Sequence, residues 1–158
     1  MLARLFNPMR FVRSERGTQL VELAIVLPIL LVLLAASAEF GRFFYTYQTL
    51  AKATRAGARY LMTESAAGTS DDKAKNYVVY GNSTGTGTPV ISGLSDANVR
   101  VVRSGGSSAF PERVTVRIEN YTYQPVFDLG KLIGNPTFSL RVNVSPSTTM
   151  RYFSSIPS

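Results

Sequence analysis

The sequence predicts an α+β protein in which a long N-terminal helix, membrane-spanning in its first half and amphipathic in its second, packs against a small antiparallel β-sheet. Three observations predict it. Residues 20–38 are almost wholly apolar. Apolar and small side chains then recur at spacings of four and three as far as Leu61, which is a helical period. In the C-terminal half the period falls to two, with Val114, Val116 and Ile118 alternating against Arg113, Thr115, Arg117 and Glu119. A chain of 158 residues has room for one modest domain beside a membrane segment.

Charge orients the apolar run. Arg4, Arg10, Arg13 and Arg16 precede it against Glu15 alone, in a chain of net charge +7. A basic segment abutting a span stays on the cytoplasmic side, so the N-terminus is expected inside and the residues after Phe40 outside. Residues 20–40 form a helix of about 31 Å at 1.5 Å per residue, which matches a hydrocarbon core of about 30 Å. Pro28 removes one backbone donor within it, and a kink near Ala24 is expected rather than a break. Glu22 stands at the mouth of this run. A charge near the centre of a membrane helix costs roughly 2.5 to 3.5 kcal/mol, so Glu22 either has a partner or lies shallow enough to stay wet.

The helix is expected to continue to residue 62, with Phe40, Phe44, Tyr47, Ala51, Thr54, Ala58 and Leu61 on one buried face. Lys52, Arg55 and Arg59 gather on another. Gly41 and Gly57 each weaken such a helix by about 1 kcal/mol relative to alanine. Residues 63–72, rich in Ser, Thr, Gly and Asp, end it. Phe138, Leu140, Val142 and Val144 alternate with Ser139, Arg141, Asn143 and Ser145 as a half-buried strand. The Val114 strand can extend through Tyr121 and Tyr123 after a register change at Asn120. Residues 99–102 and 77–80 are weaker strand candidates, and 81–93 and 104–111 read as exposed loops.

Composition removes most catalytic chemistry. There is no cysteine and no histidine. That excludes a disulfide framework, a thiolate nucleophile, a histidine base and a zinc site of ordinary type. Asp71 and Asp72 could bind a cation, yet no further carboxylate lies near them in sequence, and a helix end with solvated charges explains them more simply. The stretch GNSTGTGTP lacks the Gly-Lys-Ser/Thr ending of a phosphate loop. The arginines of the 113–117 strand alternate with no aromatic residue, so nucleic acid is not an expected partner. No catalytic, cofactor-binding or metal-ligating residue is assigned, and no cofactor is expected.

A basic leader ending in glycine, a glutamate five residues later, an apolar helix and a small sheet together resemble type IV pilin-like proteins. More specifically, RGTQLVELAIVLPILL followed by AEFGRFFYTYQTLAKATRAGARYL is similar to the N-terminal region of TadE-like minor pseudopilins of tight adherence (Tad/Flp) pilus systems. Glu39, Phe40, Gly41 and Arg42, with Ala56, Gly57, Ala58 and Arg59, form the family-like helix motif. The resemblance implies a pilin-like fold with residues 1–17 as a cleaved leader, 18–62 as the long helix and 63–158 as an exported β-rich domain. It implies that a prepilin peptidase cuts between Gly17 and Thr18, and that Glu22 then fixes assembly register by pairing with the new Thr18 amine, on its own chain or on the next subunit. The implied partners are that peptidase, other pilin and pseudopilin subunits, the inner-membrane assembly platform and the membrane itself. The implied location is the bacterial inner membrane, single-pass with the N-terminus cytoplasmic.

Two other readings stay open on the residues. Ala36-Ser37-Ala38 fits a signal peptidase site, which would release a soluble binding protein beginning at Glu39. Without any cleavage, the chain would be a permanent anchor displaying an adhesive domain.

Overall fold

The computed structural model describes residues 15–63, 70–106 and 111–152. Helix α1 spans Glu15–Thr63, α2 spans Ser70–Tyr80, and strands β1 and β2 span Val99–Gly106 and Pro111–Ile118. A four-residue helix α3, Leu129–Leu132, follows, and β3 spans Ser147–Arg151. The chain divides into two compact units, Met1–Ala38 and Glu39–Ser158.

In the first unit, α1 leaves its large side chains uncovered: Leu20, Ile25, Leu30 and Leu34 are 53 to 67% exposed. Water would not tolerate such a surface, and the helix is long and apolar enough to cross a membrane. Pro28 lies inside the unbroken helix.

In the second unit, the rest of α1 packs with α2 and the sheet. The sheet is antiparallel in the order β1-β2-β3. Val99 pairs with Ile118 and Val101 with Val116 on one side, while Val116 pairs with Thr148 and Val114 with Met150 on the other. These side chains share the inner face, where Val114, Val116 and Ile118 are fully buried with Leu50 and Leu61 of α1 and Val78 and Val79 of α2. Full burial of each such side chain contributes about 1.5–3 kcal/mol. Arg113 and Arg117 take the outer face by alternation and are exposed. Thr54, fully buried on α1, ties helix to sheet by a 3.0 Å hydrogen bond with the Thr148 hydroxyl. This is the α+β arrangement the periods predict.

Five local expectations are corrected, the simplest being that residues 104–106 and Pro111, expected in an exposed loop, are the paired ends of β1 and β2. The buried face of α1 is not the one that starts at Phe40: Phe40, Phe44 and Tyr47 are exposed, and Glu39, Thr46, Leu50, Ala53, Thr54, Ala58 and Leu61 are buried. Phe43 packs edge-on against Tyr123 at 5.4 Å. The two faces converge only from Thr54 onward. The first half of the face is rotated because Glu39, not Phe40, is held by the domain.

Residues 77–80 are helical, not a strand. Ala74 and Val78 are buried one turn apart, and Asp71 and Asp72 sit in the first turn of α2, where carboxylates complement the helix dipole. Consequently Ser70 to Asp72 belong to this helix rather than to the loop that ends α1; residues 64–69 of that loop lie outside the described residues.

The alternating run from Phe138 to Val144 forms no named strand. Pro136–Phe138 is a 3-10 turn with the Asn135 side chain accepting from the Thr137 amide, and Phe138 is 56% exposed. Only a short bridge remains, Thr122 opposite Asn143, closed by Tyr123 N to Val142 O and Val144 N to Tyr121 O. The edge of β2 is instead taken by β3, whose inward positions are Thr148 and Met150.

The loop after α2 is exposed but ordered: Asn82 Oδ1 accepts from the Thr84 and Gly85 amides. The register change at Asn120 is present, with φ 56 in the left-handed region that asparagine tolerates, and Tyr121 and Tyr123 are buried beyond it.

Candidate functional site

Three groups of residues on α1 carry the functional reading. The first is the N-terminal turn group of the first unit. Gly17, Thr18 and Glu22 are helical and exposed, and a side chain at Gly17 would meet nothing within 4 Å. Thr18 and Glu22 stand four residues apart, so they share a face one turn from each other. Around Glu22 lie exposed Leu20, Val21, Leu23 and Ile25.

The second group surrounds Glu39. This carboxylate is only 4% exposed although it directly follows the apolar run. Its Oε1 accepts from the Tyr123 hydroxyl at 2.5 Å and from the Val126 amide at 3.2 Å, and its Oε2 accepts from the Phe127 amide at 3.1 Å. A buried carboxylate is tolerated when donors replace its water, and here three converge. Burial, and then the hydrogen bond to Glu39, push the Tyr123 hydroxyl up to about 12. A small apolar depression of about 100 Å³ adjoins the pair, lined by Phe40, Phe43, Tyr123, Leu140 and Val142.

Sequence reasoning placed Glu39 in the helix motif but missed Tyr123 and the 126–127 amides. The one available signal was a glutamate at the end of an apolar stretch, with Arg42 three residues on as its only opposite charge within helical reach. The rest of the motif divides by exposure. Phe40, Gly41 and Arg42 face outward, as do Ala56 and Arg59, whereas Gly57 and Ala58 are buried. Gly57 is a close approach: a Cβ there would lie 2.6 Å from Val78 Cγ2 and 3.1 Å from the Ala74 carbonyl of α2.

The third group is aromatic. Phe40, Phe44 and Tyr47 are 44 to 59% exposed, and the Phe40 and Phe44 rings stand 5.9 Å apart. Lys52, Arg55 and Arg59 are exposed farther along. Together these give α1 an outward surface that is aromatic near Glu39 and basic beyond it.

At the other end of the domain, Asp71 and Arg103 form a two-pronged pair, Nη1 donating at 3.0 Å and Nη2 to Oδ1, with Arg103 Nε donating to the Tyr152 hydroxyl at 3.1 Å. The Asp71 hydrogen bond raises the Arg103 pKa above its ordinary value. Asp71 is thereby a structural acid. Among the described residues no three His, Cys, Asp or Glu side chains group as metal ligands.

The model of a family described as TadE-like protein matches residues 17–59. The matched segment begins at Gly17, contains Glu22, Glu39 and Gly57, and ends at Arg59, so it lies wholly within α1. The match agrees with a TadE-like protein of a Tad pilus system. No curated protein matches the chain, and no solved structure does.

Proposed function

With residues 17–59 as a TadE-like segment, we propose that the chain is a minor pseudopilin that takes part in assembly of a Tad/Flp-type pilus. The observation that carries this reading is the coincidence of the matched segment with a helix whose residues 17–38 are largely uncovered apolar surface with Glu22 as their one charge. The role is structural rather than enzymatic. A prepilin peptidase cuts on the cytoplasmic side after Gly17, and the exposed Thr18 then begins the mature chain. Its new amine and the Glu22 carboxylate are opposite charges at a spacing that brings them together on one helix face. Pairing offsets the cost of holding Glu22 among apolar side chains, and a subunit packed out of register leaves the charge unpaired.

In this reading the apolar half of α1 holds the protein in the inner membrane before extraction and packs with other pilin helices afterwards. The compact domain is exported and presents the surface that primes, caps or decorates the fibre. The assembly platform and the neighbouring pilins are its partners.

N-terminal sequencing of the mature protein from cells with and without the prepilin peptidase tests this. A chain beginning at Thr18 only when the enzyme is present is the expected result. A chain beginning at Glu39, or retaining its leader in both strains, moves the protein to the secreted or permanently anchored class.

A further inference from the structure

We propose that residues 125–142 form a membrane-docking loop, which sets its exposed apolar side chains into the headgroup region of an anionic bilayer crossed by α1. The inference rests on the reading of α1 as a membrane span.

The loop is built with its apolar residues outside. Val126, Phe127, Leu132, Ile133, Phe138 and Val142 are 46 to 68% exposed. Its interior is polar instead. The Asp128 side chain is 7% exposed, and its oxygens accept from the Gly130 amide and the Ser139 hydroxyl, both near 3 Å, with Arg141 Nε at 3.7 Å. A side chain at Gly130 would lie 2.8 Å from Ser139 N and 2.9 Å from the Asn135 carbonyl, so the loop is closed tightly on itself. A loop that uses its polar groups to hold itself together and turns phenylalanine, leucine and isoleucine outward has an apolar surface of the kind that marks an interaction site.

Connectivity identifies the occupant. The loop begins at the two amides, Val126 and Phe127, that bind Glu39. Glu39 directly follows the apolar run in the chain, so in a bilayer spanned by that run it falls at the water boundary. What is hydrogen-bonded to Glu39 is held there with it. Charge agrees: Lys131 and Arg42 are exposed, and Asp128, the sole carboxylate between residues 125 and 142, is already engaged. Apolar side chains flanked by lysine and arginine suit the boundary between acyl chains and anionic headgroups, a layer roughly 5–10 Å deep. Docking would fix the exported domain against the membrane until extraction pulls it free.

The absence of cysteine allows a direct test. The full chain, carrying a single environment-sensitive fluorophore at Ile133→Cys, is reconstituted into phosphatidylglycerol-containing vesicles with and without lipid spin-labelled near the headgroup. Leu27→Cys reports the span. Thr63→Cys, at the exposed far end of α1 and about 36 Å beyond Glu39 along the helix, reports water. The expected result is a blue-shifted Ile133 probe quenched by the shallow label and an unquenched Thr63 probe. An Ile133 probe that behaves like Thr63 while Leu27 is lipid-buried overturns the docking loop and leaves the pseudopilin reading intact. So does an Ile133 probe shielded only after other pilin subunits are added, which would assign the loop to a subunit contact. A water-exposed Leu27 probe would overturn the span, and the docking loop with it.

Discussion

Glu39 and Tyr123, 84 residues apart in the chain, meet in a buried hydrogen bond of 2.5 Å that joins the start of the domain's helical half to the segment following β2. The contact sets the rotation of α1. With Glu39 turned inward, Phe43, Thr46 and Leu50 follow it into the domain at spacings of four and three, and Phe40, Phe44 and Tyr47 are turned outward.

The first prediction concerns this pair. Tyr123→Phe removes one donor and leaves the carboxylate with two amides, at a cost of about 1–3 kcal/mol in domain stability. Glu39→Ala strands the Tyr123 hydroxyl and the Val126 and Phe127 amides together, and costs more. Denaturation of the full chain in detergent micelles measures both; the reverse order would show that the carboxylate is not the hub of the network.

Alkaline pH should weaken the same junction. An unfolded tyrosine ionises near pH 10, whereas Tyr123 in the fold does so at about 12, because burial and the neighbouring Glu39 disfavour a second negative charge. The folded state therefore holds this proton more tightly. Its stabilisation is complete below about pH 10 and is lost as pH rises toward 12. Tyr121, raised by burial, adds in the same direction. Melting temperature followed from pH 9 to 12 should fall, and Tyr123→Phe should fall less steeply. Equal slopes in the two proteins would assign the alkaline loss to other groups.

Gly57→Ala separates two opposing effects. Helix propensity alone would stabilise α1 by about 1 kcal/mol. The added methyl would lie 2.6 Å from Val78 Cγ2 and 3.1 Å from a backbone carbonyl that cannot rotate away. Overpacking of this kind typically costs about 1–3 kcal/mol, so the net change should be destabilising. A stabilised variant in urea titration would mean that α2 shifts freely away from α1.

Processing and incorporation should respond to different residues. Gly17→Leu is expected to stop cleavage by crowding the peptidase, since space around Gly17 is open in the isolated chain and the obstruction would come from the enzyme. Glu22→Ala is expected to be cleaved normally but to enter fibres poorly. Immunoblots of processing and of sheared pili report the two steps, and normal incorporation of the Glu22 variant would remove the register role.

Arg103→Lys keeps the charge but loses the fork that grips Asp71 and the Nε donor to Tyr152. A lysine provides a point charge in place of that planar geometry, and a loss of about 1–2 kcal/mol is expected. An unchanged urea midpoint would show the pair to be a solvated surface bridge.

Much of the fold was legible because it depends on local period. The apolar span, the continuation of its helix to the end of the matched segment, and the Val114–Ile118 alternation are each properties of neighbours in sequence. Short polar elements were not. The four residues from Thr148 to Arg151 hold one large apolar side chain, Met150, so β3 left little pattern, and the stronger alternation at 138–144 drew the assignment to a segment that pairs only at Asn143. The VVY ending of α2 reads as a strand until Ala74 and Asp71 are counted with it.

The sequence by itself determined that this chain has a helix fit to cross a membrane, a glutamate at its mouth and a glycine before it. Those features are fixed by composition and spacing within residues 17–40, on the scale of a bilayer. The tertiary structure alone decided which face of the second half is buried and what satisfies Glu39. Both depend on donors that arrive from 84 to 88 residues away, and helical periodicity cannot tell a partner that distant from water.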